Sequence, residues 1–546
     1  MYLTEIAEEI LKSRYYLKDK EGNIIENFEG LCKRISTAIA EIDRNYNLNP
    51  SKSFESFFDI IYSLKFLPNS PTLMNAGIKN GQLSACFVLP IKDSLKSIFE
   101  TLKKTAIIHK SGGGTGFSFS SLRPEGDVVA STKGVSSGPI SFMQIFDFAT
   151  NIIKQGGKRR GANMGILHIT HPDIESFIKC KENEGNLTNF NISVSLDKLQ
   201  IESIKKDGVI PLINPRTKKV VKTILAKKIF DDICYYAWKT GDPGLVNLYS
   251  INSSNPTPSL GYIEATNPCG EQPLLPNESC TLGSINLSKF VKNKNIDYDE
   301  LKRVIHISVH FLDNILDANH YPFKEIEKIS KRNRKIGLGI MGFADALILM
   351  NIPYSSKYAL QIAEDIMSFI NTEAISASQN LAKKRGPFPA FFKSIYYKKG
   401  FKERRNATVT TIAPTGTISL IAGTSSGIEP IFSFKIKRRI LDKEFEDIHP
   451  LYLKLKDNKN YEKKIFETAF DINPSHHLLI QYAFQKHTEN AVSKTVNLTE
   501  NSSVDDVKEI FKMALELNLK GITIYRDKSK PKQTLNFCNL NPDREC

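Results

Sequence analysis

Asn267-Pro-Cys-Gly-Glu-Gln-Pro-Leu-Leu-Pro-Asn-Glu-Ser-Cys-Thr-Leu-Gly-Ser-Ile-Asn-Leu287 is the most informative stretch of the 546-residue chain. Prolines at 268, 273 and 276 forbid a regular helix, so the segment is expected to be a stiff loop. Cys269 lies two residues from an amide, Asn267, and two from a carboxylate, Glu271, and Cys280 follows eleven residues on. In an extended loop, side chains at i and i+2 point the same way, so Asn267, Cys269 and Glu271 are expected to converge on one ligand. A structural loop that happens to bury a cysteine has the same composition, and this stretch alone does not separate the two.

Further along, Ala413-Pro-Thr-Gly-Thr-Ile-Ser419 follows a strand-like run, Ala407 to Ile412, and precedes an apolar run beginning at Ile418. Small residues at a strand-to-helix turn expose backbone N–H groups at the positive end of a helix, which makes a phosphate seat without a lysine. An ordinary turn reads the same way. Ser111-Gly-Gly-Gly-Thr-Gly116 lacks the Gly-Lys-Ser/Thr of a P-loop and does not fit a dinucleotide fingerprint. It says only that backbone approaches something closely. His306 and His310 are spaced i, i+4, but Ile307 stands where a zincin has Glu, so a satisfied or exposed pair is expected and no metal site.

Composition bounds the remaining choices. The chain is 41% hydrophobic and 24% charged, ordinary for a folded protein, which excludes collagen-like and disordered classes. Its 74 Lys and Arg against 59 Asp and Glu give a net charge of +15, which favours polyanionic partners. The basic clusters are short and no nucleic-acid-binding motif accompanies them, so a Lys-rich solvated surface is expected and no specific nucleic acid. The N-terminus has acids where a signal peptide would be basic and then apolar, and no run approaches ~18 apolar residues, so a cytoplasmic protein with no membrane span is expected. The eight cysteines include no Cys-x-x-Cys pair and are too scattered for a disulfide framework, so functional ones act as thiols or pass through a transient disulfide.

The pattern divides the chain into a helical region over 1–66, a large α/β domain over 67–525 and a C-terminal tail over 526–546 with few core formers. One helix stands out: Pro139 opens it and Gly156-Gly157 stops it. Phe142, Ile145, Phe146, Ala149, Ile152 and Ile153 form a stripe, with Met143 and Phe148 off it. A helix apolar on more than one side is buried in its own domain or packed on a second subunit, and burial is the expectation from pattern alone.

Taken in order, Pro68-Asn-Ser-Pro-Thr-Leu-Met-Asn-Ala-Gly77, Leu83-Ser-Ala-Cys-Phe-Val-Leu-Pro90, Asn267-Pro-Cys-Gly-Glu271, Ser279 to Leu287 and Ala413 to Ser419 resemble the catalytic chain of a ribonucleotide reductase over residues 65 to 530. Ile153 to Gly165 and Lys520-Gly-Ile-Thr-Ile-Tyr-Arg-Asp527 are most similar to the adenosylcobalamin-dependent, class II enzymes. Tyr525 is followed by Arg526, so the Tyr-Tyr relay used with a separate radical-bearing subunit is missing, as is a glycyl-radical motif. The alternatives are a large subunit of the oxygen-dependent class and a non-catalytic nucleotide-binding regulator of the same fold.

The resemblance implies a ten-stranded α/β barrel with a cysteine-bearing finger loop through its centre. It implies a thiyl radical on Cys269, generated from adenosylcobalamin, that abstracts and returns the ribose 3′-hydrogen. Glu271 is then the general base, Asn267 orients the sugar, and Cys86 and Cys280 reduce the 2′ position and end as a disulfide. Implied substrate contacts are Ser70, Ala85, Cys86, Gly114, Asn267, Cys269, Glu271, Pro414, Thr415, Gly416, Thr417 and Ile418. Asp93 and Arg123 match positions binding a deoxynucleotide or ATP effector, and Lys181 to Asn189 matches the loop joining effector and substrate sites. The apolar helix falls where the family dimerises, which revises the expectation towards a homodimer. The N-terminal stretch carries no recognisable ATP-cone. Cys538 and Cys546 are candidates for a tail shuttle passing electrons from thioredoxin or glutaredoxin, and the phosphate level of the substrate stays open.

Overall fold

The computed structural model describes residues 3–129, 133–155, 159–183, 185–440, 443–529 and 536–537. Three amphipathic helices open the chain: α1 (Glu5–Arg14), α2 (Phe28–Ala40) and α3 (Pro50–Tyr62), each started by a side-chain cap from Thr4, Asn27 or Asn49. Leu31, Ile35 and Ile39 of α2 and Phe57, Ile60 and Ile61 of α3 join one core with the long α5 (Tyr298–Ala318) and the strands behind it. Polar groups tie the same elements together. Buried Asp43 accepts from Arg385 Nη2 at 2.5 Å, and Arg385 Nη1 reaches Asp313 at 3.0 Å. Arg334 and Arg405 close on Asp313 from other sides at 2.8 and 3.3 Å.

Short apolar runs between loops become the strands β1 (Cys86–Val88), β2 (Gly114–Ser118), β3 (Asn163–His168), β4 (Phe190–Leu196) and β5 (Gly244–Asn247). They pair in that order, all parallel. Parallel strands covered on both faces read as short apolar runs, as in β1 and the end of β3, whereas β4 alternates apolar and polar residues. The second set comprises β6 (Glu278–Asn286), β7 (Ile336–Met341), β8 (Thr495–Leu498) and β9 (Gly521–Arg526). β6 pairs parallel with β7, and β8 with β9. Between these two pairs runs 408–412: Leu338 N donates to Val409 O at 2.7 Å and Thr411 N to Leu338 O at 3.0 Å. On its far side Ile412 N donates to Ala491 O at 3.1 Å and Ser493 N to Ile412 O at 2.8 Å, just before β8. The two halves meet antiparallel at β1–β6 and at β5–β9. Backbone pairing therefore runs round a ring of ten staves, five parallel in each half, as the fold expectation required.

The apolar helix is α4 (Gly138–Ile152), with Pro139 in its first turn. The stripe read from sequence splits. Met143, Phe146 and Thr150 are buried, whereas Ile145, Phe148 and Ile152 face outward, Phe148 being 67% exposed. Tertiary packing selected the row through Met143, which a period count centred on Ile145 placed off the stripe. Gly156, Gly157 and Lys158 lie outside the described residues. His306 and His310 on α5 each bond a carboxylate, Glu373 at 2.8 Å and Asp43 at 2.9 Å. Among the described residues no helix is long and apolar enough to cross a membrane.

Candidate active site

The 267–287 stretch folds as a hairpin followed by a stave. Ala265–Thr266 pairs antiparallel with Pro273–Leu274, and residues 267–272 form the tip. The tip is not extended: Gly270 N donates to Asn267 O at 3.1 Å, and Gly270 takes a φ of +81° that suits a residue without Cβ. The i, i+2 expectation therefore fails locally, and the three side chains divide. Asn267 and Glu271 turn inward and are buried, while Cys269 is exposed at the tip.

Two half-barrels hold this tip between them. Glu271 O accepts from Thr411 Oγ1 at 2.8 Å and from Ala491 N at 3.0 Å, both from the second half. Pro268 O accepts from Asn191 Nδ2 of β4 at 2.7 Å, from the first half. The glycines of Ser111 to Gly116 explain themselves here. A Cβ on Gly116 would stand 1.7 Å from Thr266 O, and one on Gly114 would stand 3.0 Å from Pro268. What the backbone approaches closely is the cysteine hairpin.

Under the tip, Cys86 of β1 and Cys280 of β6 are direct register partners. Both are buried free thiols. Burial pushes both thiols up, with the neighbouring carboxylate of Glu271 adding to the effect on Cys86. Each therefore keeps its proton at neutral pH. Asn267 Nδ2 donates to Cys86 Sγ at 3.1 Å, and the Cys86 thiol points at Glu271 Oε1 at 4.0 Å. Glu271 is pushed up to about 7 by burial, with its contact to the Asn267 side chain pulling the other way. Its Oε2 has no hydrogen-bond partner among the described residues. A carboxyl balanced near neutrality, with one open oxygen and a protonated thiol alongside, is equipped to accept and return a proton.

Cys269 opens onto a cavity of about 680 Å³ whose wall includes Pro268, Gly270, Asn191, Pro414, Gly416 and Tyr525. Ala413 to Ser419 turns as expected. Thr415 sits at φ +55° as the cap of the helix Gly416–Ala422, and its hydroxyl accepts from Gly427 N at 2.8 Å. Gly416 is exposed and a Cβ there would meet nothing within 4 Å, while Thr417 is half-buried and Ile418 buried. Gly114 pairs with Cys86 across β1 and β2, and Ala85 N donates to Cys280 O at 3.3 Å. Ser70 Oγ bonds Tyr15 Oη at 2.8 Å, linking the first helices to this region. Asp93 and Arg123 meet each other, Arg123 Nε donating to Asp93 at 2.9 Å. Cys538 and Cys546 lie outside the described residues, as does Glu184 within Lys181 to Asn189.

Asn191 escaped the sequence reading. Its signal was present only as polar residues at alternate positions of Phe190-Asn-Ile-Ser-Val-Ser-Leu196, a pattern that many half-solvated strands share.

Comparison with known proteins is consistent along the chain. Residues 84–404 and 402–525 match the model for the ribonucleotide reductase barrel domain. Residues 1–81 match the ribonucleotide reductase all-alpha domain. A vitamin B12-dependent ribonucleoside-diphosphate reductase of Thermoplasma acidophilum is 47% identical, over 98% of this chain and 80% of the relative. A protein of the same description from Mycobacterium tuberculosis is 44% identical, over 99% of this chain and 80% of the relative. The large subunit of a ribonucleoside-diphosphate reductase from Vaccinia virus is 30% identical, over 81% of this chain.

Proposed function

The chain belongs to the ribonucleotide reductase family, and from that premise we propose that it converts ribonucleoside diphosphates to 2′-deoxyribonucleotides with adenosylcobalamin as radical source. The observation that carries this reading is the stacking of one exposed cysteine, Cys269, over two buried cysteines in register, with a near-neutral carboxyl beside them. The diphosphate level and the cobalamin dependence are supported by the descriptions of the relatives at 44–47% identity.

The cavity at Cys269 is the open space beside the radical cysteine in which adenosylcobalamin would be held. Gly270 and Gly416 leave open space on its wall, and Asn191, Ser193, Thr495 and Tyr525 offer polar groups around it. When bound, adenosylcobalamin supplies the one-electron chemistry that converts the Cys269 thiol to a thiyl radical. Every other step falls to the chain. Cys269 takes the 3′-hydrogen of the ribose and later gives it back. Glu271 accepts the 3′-hydroxyl proton, and Asn267 orients the sugar. Cys86 and Cys280 supply two hydrogens, the 2′-hydroxyl leaves as water, and one disulfide remains.

Supporting groups take their places around this centre. Ser70, Ala85 and Gly114 line the sugar side, and the turn Pro414 to Ile418 seats the phosphates, Thr415 to Ile418 offering backbone N–H groups. Asp93 and Arg123 receive the deoxynucleotide or ATP effector. The outward row Ile145, Phe148 and Ile152 of α4 is the face for a homodimer. Cys538 and Cys546 relay electrons from thioredoxin or glutaredoxin, in the cytoplasm, where such reductants work. The helical region 1–66, the barrel domain 67–525 and the tail 526–546 thus divide support, chemistry and re-reduction.

The test is deoxynucleotide formation from CDP and from CTP with dithiothreitol, with and without adenosylcobalamin, against Cys269→Ser. Turnover of CDP that needs the cofactor and disappears in Cys269→Ser is expected. Turnover of CTP alone would correct the phosphate level, and none under any effector would overturn the self-sufficient enzyme.

A further inference from the structure

Cys269 has to sit within reach of both its radical source and the ribose, and a tip of six residues does not hold itself there. One side is pinned by Thr411 and Ala491 to Glu271 O. On the other side, the carbonyl directly before Cys269 is held by a side chain, Asn191, at 2.7 Å. The strand carrying Asn191 is itself fixed. Two residues earlier, Asn189 N donates to Asp147 Oδ1 of α4 at 2.8 Å, and Asn189 O accepts from Asn163 N at 2.9 Å. Lys181 Nζ bonds Phe190 O at 2.6 Å and Asp242 at 2.7 Å. Both ends of the 181–189 loop are thereby stapled next to the residue that grips Pro268.

We propose that Asn191 is a positioning residue for the radical cysteine: its amide, held in place by the Asp147–Asn189 and Lys181–Phe190 bonds, fixes the Pro268 carbonyl and so sets where Cys269 stands. The assignment rests on Cys269 being the radical residue, but the bond and its consequence for the loop exist without turnover. Asn191 is exposed toward the cavity and is no part of the core, so replacing it leaves the barrel intact. Asn191→Asp keeps the shape and exchanges the donor for an acceptor facing the Pro268 carbonyl, and Asn191→Ala removes the group.

The first measurement is alkylation of Cys269 by iodoacetamide in the full chain without cofactor, followed by peptide mass spectrometry, with half-buried Cys180 as internal reference. Loss of one neutral hydrogen bond corresponds to a shift of roughly three- to tenfold. Cys269 is expected to react faster by that factor in Asn191→Ala, with the rate at Cys180 and the melting temperature unchanged; the new carboxylate in Asn191→Asp opposes thiolate formation, so that variant is read from turnover. In turnover, kcat is expected to fall by at least about tenfold while KM for CDP stays within about twofold, since a small misplacement of a reacting group costs rate and not binding. A Cys269 alkylation rate equal to wild type in Asn191→Ala would overturn the assignment, whatever the activity. A faster Cys180 or a lowered melting temperature would equally overturn it in favour of a general structural role. Failure of the wild type to reduce any nucleotide would count against the reductase reading and leave the alkylation result standing.

Discussion

Cys86 and Cys280 are register partners across the antiparallel β1–β6 seam, where the two half-barrels meet. Directly opposed residues in such a seam have Cα atoms about 4.5–5.5 Å apart, inside the range of about 4.4–6.8 Å that a disulfide spans. The pair can therefore oxidise without moving the backbone, and no charge has to be buried in doing so.

This geometry predicts a one-turnover limit. Without external reductant, a Cys538→Ser, Cys546→Ser chain loaded with cofactor and CDP should form a single equivalent of deoxynucleotide and lose two titratable thiols. Peptide mapping should place the new disulfide between Cys86 and Cys280. Cys86→Ser and Cys280→Ser should each abolish it.

Glu271 gives a pH signature of defined sign. Its carboxyl titrates near 7 in the folded chain against an ordinary 4.5, because burial disfavours the charged form. The folded state thus holds this proton more tightly than the unfolded chain, and the associated stability is full below about pH 4.5 and lost as pH rises to about 7. Glu271→Gln should be more stable than wild type at pH 8, by on the order of 3 kcal/mol at about 1.4 kcal/mol per pH unit. That advantage should vanish near pH 4.5 in thermal melts. In activity, kcat/KM should rise through pH 7 as the base deprotonates, and Glu271→Gln should lose that limb.

Two glycines should respond oppositely to alanine. At Gly116 the new Cβ would stand 1.7 Å from Thr266 O, so Gly116→Ala must displace the hairpin. We expect a loss of roughly 1–3 kcal/mol in chemical denaturation, typical of overpacking, together with loss of turnover. At Gly416 there is open space, so Gly416→Ala should alter stability by less than about 0.5 kcal/mol. It should raise KM for the nucleotide if the phosphates sit there.

The buried cluster on Asp313 should be costly to open. Its carboxylate is held well below the usual range by Arg334, Arg405 and Arg385, which outweigh its burial. Removing it in Asp313→Ala leaves three buried guanidinium groups sharing only Asp43 and Asp317 among the described residues, and opening a buried ion pair usually costs about 3–5 kcal/mol. Differential scanning calorimetry should show the helical N-terminal region and the barrel still melting together, at a lower temperature, since Asp43 still holds Arg385.

How much of this was legible beforehand follows from sequence separation. The helical character of 1–66 and the turn at Thr415 are written locally, in prolines and periodicity, and were readable as such; the stiff loop expected over 267–287 holds only for its first part, since 278–286 is a strand of the barrel. The motif order carried the family and with it the ten staves. What the chain by itself could not state was every relationship across long separations. Cys86 opposite Cys280, Gly116 under Thr266 and Asn191 on Pro268 are set by strand register, and register is decided only when both partners are packed. The same holds for the outward row of α4, because a helix apolar on several sides does not say which neighbour will cover it. It holds again for Glu271, whose residue type was in the sequence. Its proton affinity comes from desolvation, which exists only once the barrel has closed around it.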